Sequence, residues 1–202
     1  GTFMYPIAII LAIGLAVTLE RFIFLSREKS SNRRSFEEVL PMLQKRDFRA
    51  ALNYTNASDA KISTIFAAGI SRIPTGRRED IELAMEEGVM EAIPQLEKRT
   101  QYVATLANIA TLMGLLGTIM GLIAAFTAVA NAAPADKATL LSQSISVAMN
   151  TTAFGLMAAI PLLLSHTFLQ AKTNEIVDSI EMAGVKFLNI VTERKPSPTK
   201  EG

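Results

Sequence analysis

The chain has 202 residues, is 50% hydrophobic and carries a net charge of +1, with a mean hydropathy of +0.29. Apolar residues concentrated in blocks favour a polytopic membrane protein over a soluble domain. The absence of Cys excludes disulfides and thiol chemistry, a single His speaks against a structural zinc site, and no basic patch interleaved with aromatics suggests nucleic acid.

The first apolar stretch runs from Phe3 to Leu25. It is too long for the h-region of a signal peptide, lacks a basic n-region and is not followed by a small-residue cleavage site. Residues 1–25 are therefore expected to form a first transmembrane helix. Its positive charges, Arg21, Arg27, Lys29, Arg33 and Arg34, lie at or beyond its second end. Glu20 and Arg21 read as an interfacial charge pair at that end.

Residues 26–102 read as a helical region. In SFEEVLPMLQKRDFRAALNYT, Phe36, Val39, Leu40 and Leu43 have helical spacing, with Ser35 as an expected N-cap and Glu38 three residues on. From Arg77 to Leu106, the residues Ile81, Met85, Val89, Ile93 and Leu96 share one stripe, and Pro94 is expected to bend the helix. No turn signal separates this stretch from the next apolar block, so one long helix is expected to leave the membrane.

The second span, 103–130, and the third, 141–169, are each long enough to cross a bilayer, which takes about 20 apolar residues. Neither contains Asp, Glu, Lys or Arg, yet both carry polar groups: Thr111 and Thr118 in one, Ser144, Ser146, Asn150, Thr151 and Thr152 in the other. Gly114, Gly117 and Gly121 give the second span small faces, including a GxxxG. Ser144, Ala148, Thr151, Thr152, Gly155 and Ala159 share a broad stripe on the third. A monomer would leave such stripes against lipid, which favours a homo-oligomer. The connection at 131–140 holds only Lys137 of the 20 Lys and Arg residues. The positive-inside rule then places this loop and the N-terminus outside, and residues 26–102 and 170–202 in the cytoplasm. In the tail, Ile176, Ile180, Ala183 and Phe187 form another helical stripe, and KPSPTKEG after Arg194 reads as disordered.

The hydroxyls admit two readings. Ser and Thr in membrane helices commonly bond their own backbone or join neighbouring helices. Asn150 followed by Thr151 and Thr152 at mid-span must face protein or water, because an unpartnered amide in hydrocarbon is costly. The deep parts of all three spans lack the ionisable group that a proton relay needs, so a conducting assembly would take its carboxylate from another chain. Glu20 and His166 lie near inner ends. No catalytic set, metal-ligand cluster, cofactor motif or phosphate-cradling loop is present in the sequence, and the chain is not read as an enzyme.

MGLLGTIMGLIAAF, a short loop and SVAMNTTAFGLMAAIPLLL together resemble the MotA/TolQ/ExbB proton-channel family, as does the opening MYPIAIILAIGLAVTLERFIFL with Glu20–Arg21. Three spans with an outside N-terminus are similar to its ExbB/TolQ branch. The resemblance implies an all-α membrane protein with three transmembrane helices, long cytoplasmic helical extensions and a ring-forming homo-oligomer, a pentamer. Its second and third spans would line a pore holding an ExbD/TolR-like single-span partner that carries a membrane Asp. A TonB/TolA-like protein is a further partner by the same token. The implied role is the ring subunit of a proton-motive-force-driven motor of the bacterial inner membrane; the alternative is a non-conducting scaffold. The family's pore threonines fall on Thr118 and Thr152, and Thr151, Asn150, Ser144 and Thr111 are the further expected pore-lining residues. Val147 stands where ExbB-like members often carry Glu, and Thr111 where many carry Pro.

Overall fold

A computed structural model describes residues 2–193, so the expectation for KPSPTKEG lies outside the described residues. Among the described residues six α-helices follow one another: α1 (Met4–Gln44), α2 (Phe48–Ala57), α3 (Lys61–Arg72), α4 (Arg78–Glu97), α5 (Thr100–Ala130) and α6 (Lys137–Thr192), with a 3-10 turn at Ile73–Thr75. No strand occurs among the described residues. Segments long and apolar enough to cross a membrane lie in α1, in the α4–α5 stretch and in α6. The described residues form two compact units, one of residues 2–23 and 98–171, the other of 24–97 and 172–193.

The first unit holds the apolar segments. Here α5 and α6 meet through their smallest residues. A Cβ on Gly155 would stand 2.8 Å from the Ala110 carbonyl oxygen and 2.9 Å from Gly114 Cα, and one on Gly121 would stand 2.7 Å from Ala148 Cβ. Only glycine permits this approach, so the small-residue stripes of the two helices face each other within one chain. That corrects the expectation that a monomer would leave them against lipid. The outward faces carry large residues instead, among them Leu112, Ile119, Phe126, Met149 and Met157, all exposed. The early part of α1 packs on α6, with Leu162 filling the space at Gly14 and Phe22 stacked on Phe168 at 6.0 Å between centroids.

The second unit is a helical assembly whose core follows the apolar stripes. Val39, Leu43, Ile81, Met85, Leu96, Ile176, Ile180 and Phe187 are all buried. Phe66 stacks on Phe187 at 5.0 Å and touches Phe36 at 6.2 Å, which ties α1, α3 and α6 together. Two sequence expectations fail here. Ser35 is not an N-cap: it lies inside α1, and its hydroxyl is 3.0 Å from that of Ser58. The capping-box pattern is present, but no Gly or Pro precedes it to stop the helix arriving from the apolar segment. The working N-cap is Asp47, whose Oδ1 accepts from the Ala50 N–H at 3.0 Å after a reversal through Arg46 at φ 59°. Nor do α4 and α5 form one helix. The chain breaks at Lys98–Arg99, where Arg99 takes a left-handed φ of 67°, a conformation that glycine adopts far more readily. Pro94 sits inside α4, a turn before the break.

One carboxylate in this unit is poorly placed. Glu28 Oε2 is buried without a hydrogen-bond partner, and burial raises the acid's pKa, partly offset by Lys61 and Arg27. A folded-state pKa above the unfolded value makes folding more favourable below the unfolded pKa and less so as pH rises through the folded one. Glu28→Gln is therefore expected to raise the melting temperature at pH 7.5 and to lose that advantage near pH 4. Thermal scans at both values check this, and equal melting temperatures for variant and parent at pH 7.5 would contradict it.

Candidate functional site

The candidate site is the seam between α5 and α6. One carbonyl organises it: Gly114 O accepts from Thr152 Oγ1 at 2.9 Å across the helices and from Thr118 Oγ1 at 3.3 Å within α5. The Thr118 and Thr152 hydroxyls also touch each other. Both residues are half-buried. The absence of a side chain at Gly114 eases the approach of α6, since a Cβ there would lie 3.2 Å from Gly155 Cα, closer than ordinary contact, and 3.4 Å from Thr152 Cα. Two hydroxyls hold two protons between them, so this triad leaves lone pairs free. A protonated carboxyl could donate to them. An ionised one could be met only if a hydroxyl turned its proton away from Gly114.

The other expected residues separate. Thr111, half-buried, donates to the Ala107 carbonyl at 3.2 Å, and Thr151, buried against Gly117, donates to that of Val147 at 3.0 Å. Both bonds stay within a single helix. Ser144 is half-buried beside a surface hollow bordered by Gly121, Ala124 and Val147. Asn150 is exposed on a different face, in a hollow shared with Met4, Phe154 and Met157. The sequence grouped Asn150, Thr151 and Thr152 as one patch; the helix turns them onto three surroundings. Glu20 forms its ion pair with Arg99, Oε1 to Nη1 at 3.6 Å, while Arg21 is 3% exposed. Arg99 was missed by sequence reasoning, and no local signal could have found it, because its role depends on α1 and the start of α5 lying side by side. Among the described residues no group of three or more His, Asp or Glu is placed to hold a metal ion.

A polytopic all-α membrane protein with paired, uncharged, hydroxyl-bearing helices is the class that this fold and this seam define. Residues 57–182 match the MotA/TolQ/ExbB proton channel family. The chain belongs to that family, on the side of its TolQ- and ExbB-named members. It is 34% identical over 93 residues to the Tol-Pal system protein TolQ of Haemophilus influenzae, covering 46% of this chain and 40% of that one. It is 26% identical over 184 residues to a biopolymer transport protein ExbB homologue of Methanothermobacter thermautotrophicus, 90% of this chain and 64% of the other. Similarity to the biopolymer transport protein ExbB of Aquifex aeolicus reaches 30% over 109 residues, 54% of this chain and 72% of the relative. The chain thus spans less than two thirds of the length of the first two.

Proposed function

We propose that this chain is the ring subunit of a proton-motive-force-driven motor of the inner membrane, working with a single-span partner that carries a membrane Asp. The observation that carries the proposal is the Thr118–Thr152–Gly114 triad, which places two hydroxyls together, half-buried, between spans that hold no acid of their own. Such a pair suits a carboxylate that loads and releases a proton, because hydroxyls bond either state and trap neither. In this reading the N-terminus lies outside and residues 26–102 and 170–202 lie in the cytoplasm. The energised process is of the Tol or biopolymer-transport kind that the relatives' names describe. Co-reconstitution with the partner in vesicles tests it: proton flux is expected when both proteins are present and absent with either alone. Flux that never exceeds that of empty vesicles would refute it.

A second reading, a non-conducting scaffold, is favoured by one observation: both hydroxyls already bond Gly114 O, as helix-joining threonines do. The same flux measurement separates the two. Assembly is tested apart from conduction. The exposed Leu, Ile, Met and Phe side chains on α5 and α6 would be covered in part by further copies, and native mass spectrometry of the detergent-solubilised protein is expected to show a pentamer as the main species. A dominant monomer would remove the ring.

A further inference from the structure

In the first unit, His166 Nε2 on α6 and Thr100 Oγ1 on α5 are buried polar atoms without a hydrogen-bond partner. The register of the seam brings them to one level. Gly114 lies against Thr152, and about four helical turns further along each antiparallel helix come Thr100 and His166. From α1, the contacts of Gly14 with Leu162 and of Phe22 with Phe168 bracket the same level of α6. There α1 contributes Glu20, paired with Arg99, and the buried Arg21. The register therefore puts Glu20 and Arg21, Arg99 and Thr100, and the chain's single His at one level of the first unit, where Glu20 and Arg99 form their ion pair.

Buried polar groups without partners are rare, and the usual explanation is an internal water that bonds about three of them. The deep parts of the spans carry no group that titrates near neutrality. A proton moving inward from a partner's carboxylate along α5 and α6 meets this level before any Asp, Glu, Lys or Arg of those two helices. Imidazole suits proton transfer by its two ring nitrogens, one of which can accept a proton while the other donates one. A proton that reaches the internal water makes it hydronium; passing that proton to one ring nitrogen leaves neutral water and an imidazolium, and release of a proton from the other ring nitrogen to bulk water restores the neutral ring.

We propose that the inner ends of α1, α5 and α6 enclose a water-bearing site bridging Thr100 and His166, through which His166 exchanges protons with the cytoplasm. The exchange role rests on the conducting reading above; the water site does not. Because there is one His, its imidazole can be observed unambiguously by nuclear magnetic resonance in full-length, 15N-histidine-labelled protein in detergent. A cross-peak between ring and water is expected, weakened at least threefold by Thr100→Val and retained by Thr100→Ser. No cross-peak in the parent, or one that Thr100→Val leaves unchanged, overturns the site. In vesicles with the partner, His166→Gln is expected to lower flux at least threefold while sparing assembly. Unchanged flux overturns the exchange role. If the parent complex carries no flux, the motor reading fails and the cross-peak alone decides whether the water site exists.

Discussion

Thr152→Val and Thr118→Val are each expected to reduce proton-coupled activity at least tenfold in the presence of the partner, with normal levels of assembled protein. Valine keeps the shape of threonine and removes the hydroxyl. The structural loss is modest: a hydrogen bond between helices in a membrane contributes on average about 0.6 kcal/mol, and Gly114 O keeps its place in the backbone ladder of α5. The functional loss is larger, because the two hydroxyls share one carbonyl and one contact, so neither can answer a change in the partner's protonation alone. Thr127→Val is the control. Thr127 is exposed, and its hydroxyl donates to the Ile123 carbonyl at 2.9 Å, a turn back on its own helix. Its variant should retain most activity. Full activity in both Thr118→Val and Thr152→Val would show that these threonines serve only to join α5 to α6.

The second large effect is expected at Gly155. A Cβ there meets a carbonyl oxygen and a Cα, both backbone, at 2.8 and 2.9 Å, and neither can rotate away. Gly155→Val must push α5 and α6 apart, breaking the Thr152–Gly114 bond and leaving voids along the seam. Overpacking of this kind typically costs about 1–3 kcal/mol, and the bulk of valine places it at the upper end or beyond. Gly184 offers the contrast: a Cβ there would meet only the flexible tip of Met85, at 3.6 Å. Gly184→Ala should be neutral or stabilising, since alanine is favoured over glycine in a helix by about 0.8–1.0 kcal/mol. Size-exclusion profiles after graded heating would show Gly155→Val lost well below the parent and Gly184→Ala at or above it. A Gly155→Val protein as heat-resistant as the parent would mean that the seam is looser than described.

Much of the fold was legible because apolar periodicity is a strong signal in helices. The stripes through Ile81, Met85 and Leu96 and through Ile176, Ile180 and Phe187 are buried where their spacing places them. The errors came from local signals judged without their surroundings. Ser35 with Glu38 has the letters of a capping box, but a cap forms only where a helix begins. Arg99 adopts a left-handed turn that no glycine announced. The candidate site was half legible. Composition marked the hydroxyls in uncharged spans and the family resemblance singled out Thr118 and Thr152 among them, but their shared acceptor, Gly114 O, is a backbone atom that no residue pattern reveals. Asn150 was grouped with its sequence neighbours although successive helical residues point about 100° apart. The pairing of Glu20 with Arg99 depends on tertiary placement alone.

The contact of backbone with backbone between α5 and α6 also has a mechanical side. With glycine on both helices at Gly114 and Gly155, no long side chain lies between them to bend, and a slip of one residue would drive Ala148 or Thr151 into the opposing helix. The two spans form a single stiff stave. In the ring proposed above, movement would have to occur between such staves or against the partner inside. The faces available for that are surfaced with residues such as Leu112, Ile119, Phe126 and Met157. Contacts of that kind carry no directional bond, so one can be traded for the next along a nearly level path.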